Sequence, residues 1–468
     1  MQYSPRVTIS ALPDDVLLEI FKFHVDEVYY QGTWLTLVHV CRKWRYIVFS
    51  SLRWLRLELL CTDKSPVKKM LDIWPALLIV IDAAINTYRT KSRQSGVINI
   101  IAALKRHDFV CRINIWGIPN SLLKSAAMKR RFPELTDLRL RSKEENAPAI
   151  TDSFLGGSAP RLRSLDFTGI PFPFPALGKL LLSTTDLVTL CLEDIPKSGY
   201  ISPEQIATSL SALTKLKTFS IGFRSPRSHA DRERRDLSLL KPLVLPSLTE
   251  FNFKGDSEYL ESIVGRMDAP ALDMVTITFF KQLVFNTPLL RDFFSRTVFQ
   301  EPHRADLSSN EPCINLTFFR REGTTDRRML SVKISSSVLE WQISSLAQFC
   351  SACLPPLPTL ECLVMRECRS SDSSDLPDDM DIAPWSELLH SFVTVKDLAL
   401  SVNLVRGTLH ILRRLTGEGV PEVLPALRNV FGRFYGHARA KEVAAEFITA
   451  RQLSGRPVVF NPVETGSL

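Results

Sequence analysis

The sequence predicts an α/β protein: an all-helical N-terminal segment, then an irregular solenoid of short leucine-patterned repeats with parallel strands on its concave face and helices on its convex face. Three observations carry this. A unit of the form Leu-x-x-Leu-x-Leu recurs after residue 50. Helix-compatible stretches separate the copies, as they must if successive strands are to run parallel. Residues 9–49 hold two short apolar patterns at helical spacing and no strand signal.

In the first of these N-terminal patterns, Pro13 fits an opening helical turn, and Asp14 and Asp15 suit the positive end of the helix dipole. Val16, Leu17, Ile20 and Phe21 follow at helical spacing. In the second, Leu37, Val40, Cys41, Trp44, Ile47 and Val48 share one apolar seam of a helix running from Trp34 to Phe49. The connection Val25–Thr33 joins the two. Roughly forty residues cannot bury this much apolar surface alone, so part of it must dock on something else.

The clearest repeat copies begin at Leu135, Leu162, Leu187, Leu216, Leu248 and Leu272, giving steps of 27, 25, 29, 32 and 24 residues. Helices are expected between them at Ser121–Phe132, Pro175–Ser183, Pro203–Leu213 and Ser257–Met267. Each unit exposes an apolar strand edge and an apolar helix face until stacking covers both. Degraded copies are expected upstream at Leu52–Leu57, Leu77–Ile81 and Val110–Ile115. Downstream they fall at Ile314–Phe318, Val338–Ile343, Leu360–Met365, Val395–Leu400 and Leu427–Gly432. Residues 141–152, 224–236, 300–312 and 369–384 read as surface loops, being polar, charged or proline-rich. Ala440–Leu453 reads as a terminal helix that caps the open end. The expected organisation is 1–50 helical, 51–134 linker and first diverged repeats, 135–300 regular repeats, 301–460 degraded repeats with the capping helix, and 461–468 a disordered tail.

Leu12-Pro13-Asp14-Asp15-x-Leu17-x-x-Ile20-Phe21, followed by Leu37-x-x-Val40-Cys41-Arg42-x-Trp44, resembles an F-box. The body resembles diverged leucine-rich repeats, whose period is about 20–29 residues. Stretches such as 156–165, 198–203 and 253–261 are similar to a large fungal family of F-box proteins with such repeats. The resemblance implies a non-catalytic substrate receptor of SCF-type cullin–RING ubiquitin ligases. Its F-box would grip a Skp-type adaptor, with cullin and RING subunits attached through that adaptor. Adaptor docking and hairpin packing would then fall to Leu12, Pro13, Val16, Leu17, Ile20, Leu37, Val40, Cys41 and Trp44, with the Trp44 indole as anchor. The alternative is a leucine-rich-repeat interaction scaffold that engages no ligase.

Side chains alternate along a strand, so the repeat positions that point away from the core nominate a target-binding face. These are Asp137, Arg139, Arg141, Ser164, Asp166, Thr189, Glu193, Thr218, Ser220, Glu250, Asn252, Lys254, Thr276 and Thr278. Mixed charges and hydroxyls suit a protein ligand better than a small cofactor.

The chain has 468 residues, 45% hydrophobic and 23% charged, as a folded globular protein does. The formal net charge of +8 is spread along the sequence, which reads as mild basicity without nucleic-acid binding. The first dozen residues lack an apolar signal core, and the longest apolar stretch, Ile73–Ile81, is too short for a membrane span and contains Pro75. Nine scattered cysteines match a reduced compartment, cytoplasmic or nuclear. No phosphate-cradling glycine loop, nucleophile elbow or zincin motif occurs, and the eight histidines are dispersed, so neither enzyme activity nor a cofactor is expected. Cys350, Cys353, Cys362 and Cys368 contain one Cys-x-x-Cys pair but not a second, which favours unligated thiols over zinc.

Overall fold

The structure is a computed structural model. It describes the chain except residues 1–8, 28–33, 53, 56, 65–70, 73–76, 86–89, 145–146, 227–241, 281, 283, 286, 298–300, 311–312, 336–338, 368–381, 402–403, 417–422, 433–437 and 463–468. The fold is mixed α/β, with N-terminal helices followed by mostly parallel strands alternating with helices, an arrangement consistent with a solenoid-like repeat. Two units are separable: residues 1–190 with 198–200, and residues 191–197 with 201–468.

In the first unit, α1 (Asp14–Glu27), α2 (Trp34–Val40) and α3 (Arg42–Ser50) precede β1 (Glu58–Cys61), β2 (Leu78–Ala84), β3 (Val110–Trp116), β4 (Asp137–Arg141) and β5 (Ser164–Thr168). These strands pair in chain order and in parallel. Strand β6 (Thr189–Ile195) crosses the division between the units. Helices Thr90–Leu104 and Phe174–Leu182 and shorter turns make the return crossings. Gly117 shows why the turn after β3 is tight: its φ is +69°, and an added Cβ would lie 2.6 Å from the Ile85 carbonyl oxygen.

The second unit contains β7 (Thr218–Phe223), β8 (Leu243–Val244), β9 (Glu250–Gly255), β10 (Met267–Asp268), β11 (Met274–Phe279), β12 (Arg304–Asn310), β13 (Cys313–Glu322), β14 (Thr325–Ser335), β15 (Cys362–Glu367), β16 (Asp397–Leu400), β17 (Asn429–Gly432) and β18 (Val459–Pro462). Its main sheet runs β7-β9-β11-β14-β13-β12-β15-β16-β17-β18, and β8 pairs with β10 apart from it.

The repeat pattern located the core. In the six clearest copies the first, fourth and sixth positions are all buried, as in Leu135, Leu138 and Leu140, each at 0% exposure. Several expectations fail. Within the expected loop 300–312, residues Arg304–Asn310 form β12 instead. Ile314–Phe318 lies in a strand, but β13 pairs antiparallel with both β12 and β14, so a β-meander interrupts the parallel array. The turn Glu322–Thr325, with Gly323 at φ +62°, is a hairpin signal that the leucine spacing obscured. Val338–Ile343 is not a strand copy: residues Leu339–Cys353 form a helix that buries Ile343, Leu346, Ala347 and Cys350 at a 3.6-residue period. The first strand is Glu58–Cys61 rather than Leu52–Leu57, where Leu52, Trp54 and Leu55 lie in turns. The expected helix Ser121–Phe132 shortens to Asn120–Leu123 plus a 3-10 turn, and Ser257–Met267 ends at Val264. The terminal helix Ala438–Leu453 is followed by one more strand, so Asn461 and Pro462 belong to β18 rather than to a tail. Residues 227–236 and 369–381 of two expected loops, 463–468 of the tail, 28–33 of the helical connection and 73–76 of the apolar stretch lie outside the described residues.

Glu261 illustrates how neighbouring crossings are joined. Its carboxylate is 8% exposed and accepts hydrogen bonds from the backbone N–H groups of Leu289 (2.6 Å) and Leu290 (2.9 Å) at the start of the helix Pro288–Thr297. Burial raises its pKa, and the two N–H donors oppose that rise. The folded state therefore holds the proton to higher pH than the unfolded chain does. The stability this group contributes is full on the acid side and lessens as pH rises through and above the usual carboxylate range. Glu261→Gln flattens that part of a stability–pH curve, and Glu261→Ala costs about 1 kcal/mol by uncapping the helix, both measurable by urea unfolding between pH 4 and 8.

A candidate adaptor-docking surface and a polar strand face

Asp14 and Asp15 lie in the first turn of α1, as the dipole argument requires. Leu17 and Phe21 are fully buried, and the Phe21 ring packs against Trp44 on α3 with centroids 4.7 Å apart. The expected single helix from Trp34 to Phe49 is broken at Cys41, whose backbone is extended (φ −157°, ψ 173°). Arg45 helps accommodate the break: its Nε donates to the Val38 carbonyl at 2.9 Å, satisfying an acceptor at the end of α2. The break takes Cys41 off the predicted apolar seam and exposes it. Lys43 Nζ, bound to the Leu12 carbonyl at 3.0 Å and the Asp14 carboxylate at 3.1 Å, then holds the start of α3 beside the start of α1.

This arrangement divides the nominated adaptor residues. Leu17 and Leu37 are buried and pack the helices together, and Trp44 is half-buried against Phe21. Leu12 is half-buried. Pro13, Val16, Ile20, Val40 and Cys41 remain exposed, with Val40 at 58%. Phe23, 64% exposed, was missed by sequence reasoning, yet Val16, Ile20 and Phe23 stand at i, i+4 and i+7 on one stripe of α1. That spacing was the available signal.

The other side of the helical segment is anchored. Trp34, Val38, Ile47 and Val48 are buried, and the Trp34 indole N–H donates to the Glu58 carbonyl on β1 at 3.0 Å. Trp34→Phe keeps one aromatic ring but removes the N–H donor and leaves a gap in a buried site, at a cost of about 2–3 kcal/mol. Faster amide exchange confined to α2 and β1 is the expected readout.

The nominated target-binding residues line up across the strands. In the first unit Asp137 is opposite Ser164, and Arg139 is opposite Asp166. In the second, Thr218 is opposite Glu250, Asn252 is opposite both Ser220 and Thr276, and Lys254 is opposite Thr278. Two are poor contact residues: Ser164 is 9% exposed, and Ser220 is 4% exposed with its hydroxyl donating to Glu193 at 2.9 Å. Thr189, Glu193, Glu250, Asn252, Lys254, Thr276 and Thr278 are half-buried or exposed, and Lys254 pairs with Asp194 at 2.8 Å. Trp116 was also missed. It is 46% exposed beneath the Arg141 guanidinium, which stands 4.0 Å from its ring centroid and pairs with Asp166 at 2.8 Å.

Cys350 and Cys353 are buried on the helix Leu339–Cys353, and the Cys353 thiol lies 2.7 Å from the Thr287 hydroxyl. Burial pushes the Cys353 thiol up to about 12 and the Cys362 thiol up to about 11, so both stay protonated near neutrality. Cys368 lies outside the described residues. Among the described residues no group of three or more His, Cys, Asp or Glu is placed to hold a metal ion, and no helix is long and apolar enough to cross a membrane.

The F-box-like family model matches residues 9–59, the span that begins before α1 and closes on the Trp34–Glu58 hydrogen bond. The N-terminal segment is thus an F-box-like domain, a class that generally binds Skp-type adaptors. No curated protein matches the chain.

Proposed function

We propose that this chain is the non-catalytic substrate-recognition subunit of an SCF-type cullin–RING ubiquitin ligase. Residues 9–59 dock a Skp-type adaptor, and the adaptor links the chain to cullin and RING subunits. The following repeats, a diverged leucine-rich-repeat array, hold a target protein on their polar strand face. Ubiquitin transfer takes place on other subunits, and this chain contributes proximity by raising the effective concentration of the target near the conjugating enzyme. Cytoplasm and nucleus are the compartments this role requires, and the described cysteines are free thiols.

One observation carries the reading. Within the F-box-like span, Val16, Ile20, Phe23 and Val40 stay exposed while Leu17, Phe21, Leu37 and Ile47 close the helices on one another. That is an apolar face left over after the domain has packed itself. The test is gel filtration and calorimetry of the full chain with a purified Skp-type adaptor. A one-to-one complex is expected. Absence of any complex with a folded chain rejects the receptor reading and leaves an interaction scaffold.

A further inference from the structure

The surplus positive charge, dispersed in the sequence, is gathered by the fold of the first unit. Because β3, β4 and β5 are parallel and in register, the loops that enter them lie along one edge of the sheet. Backbone hydrogen bonds stack these loops: Thr136 N–H donates to the Cys111 carbonyl (2.8 Å), Arg163 N–H to the Thr136 carbonyl (2.7 Å) and Val188 N–H to the Arg163 carbonyl (2.8 Å). The first loop carries Lys105 and Arg106, the second Lys129, Arg130 and Arg131, and the third Arg163. All six side chains are exposed, and none has an ion-pair partner among the described residues. Arg161 is paired with Glu134, and His107 with Asp108 at 3.1 Å. Those two carboxylates are the only ones in residues 105–109, 129–136 and 160–163, against seven lysines and arginines, a surplus of +5 within a chain of +8.

We propose that this edge is a docking strip for an acidic polypeptide segment of a protein partner, a short run of aspartates and glutamates in extended conformation. Three adjacent strands span about 10 Å, so an extended segment running along the strip passes all three loops with about three residues. It offers charge and little else. Phe132 is 1% exposed beneath the His107 ring, and none of the large exposed apolar side chains lies in the three loops. Single-stranded nucleic acid would call for exposed aromatic platforms, and a lipid surface for an apolar face to insert. The strip stands whether or not residues 9–59 bind an adaptor, because none of its residues belongs to that span.

The test uses the full chain and a fluorescein-labelled dodecapeptide of glutamate, followed by anisotropy at low and physiological salt. The R130E/R131E/R163E triple variant is expected to weaken binding about tenfold or more and to flatten its salt dependence, with melting unchanged. The R321E/R328E variant, exposed arginines of the β13–β14 hairpin, is expected to leave affinity unchanged within about twofold. The milder K129Q/R130Q/R131Q variant gives the same direction of change should the triple reversal impair folding. The proposal is overturned by a wild-type chain that does not bind the peptide, or by equal loss in the hairpin variant. Tighter binding of a twelve-nucleotide DNA or of phosphatidylserine vesicles at the same residues overturns it as well.

Discussion

An Ile20→Asp chain loses affinity for a Skp-type adaptor by about a hundredfold or more, close to 3 kcal/mol, while melting at the same temperature as the parent. The two halves of this expectation have separate causes. Ile20 is 42% exposed on the Val16–Ile20–Phe23 stripe, so the isolated chain loses little when the side chain changes. In a complex that covers the stripe, the isoleucine contributes about 1.5–3 kcal/mol of apolar burial, and a carboxylate in its place is stripped of water with no partner. Calorimetric titration of adaptor into each chain measures the difference. The neighbouring Leu17→Asp change acts differently: Leu17 is fully buried, so that variant unfolds the helices and loses binding for a trivial reason. Undiminished adaptor affinity in a folded Ile20→Asp chain would show that α1 presents another face to its partner.

The largest expected loss of stability comes from Phe251→Ala. Phe251 is 0% exposed on β9, and its ring stacks on Phe219 of β7 at 5.5 Å with planes 13° apart. Emptying such a site costs about 3–5 kcal/mol through lost transfer energy and the cavity left behind. Repeat units touch mainly their neighbours, so the damage stays near β7, β9 and β11 and does not spread evenly. Hydrogen exchange should therefore show protection lost in those strands while β16 and β17 keep theirs; uniform loss along the second unit would contradict the nearest-neighbour picture. Asn252→Ala, one residue further on and facing the polar side, is the matched control, with an effect expected within about 0.5 kcal/mol.

These two cases show what kind of information was legible beforehand. The core positions of the strands could be read because burial follows an alternation of period two, and leucine at fixed offsets reports it directly. The F-box-like helices could be read because their order and spacing are local. The break at Cys41 could not, since an unbroken helix fits the same apolar spacing, and the Arg45 side chain that satisfies the freed Val38 carbonyl leaves no mark in that spacing. The β12–β14 meander was hidden for a related reason: a Leu-x-Leu pattern states which residues are buried and is silent on whether the neighbouring strand runs parallel or antiparallel. On the polar face, alternation nominated Ser164 and Ser220 as contact residues, yet both are buried. The Ser220 hydroxyl is taken up by the Glu193 carboxylate of the adjacent strand, a partner that alternation along one strand does not report.

The sequence by itself determined which residues would be hidden and that the N-terminal helices would carry apolar surface beyond their own needs, because both follow from short-range periodicity and composition. Only the tertiary structure decided which part of that surface stays exposed, how the meander enters the array, and that lysines and arginines from three separate loops form one basic edge. The physical reason is common to all three. Each is a relation between elements, fixed by strand register and side-chain reach, and the leucine spacing does not encode it.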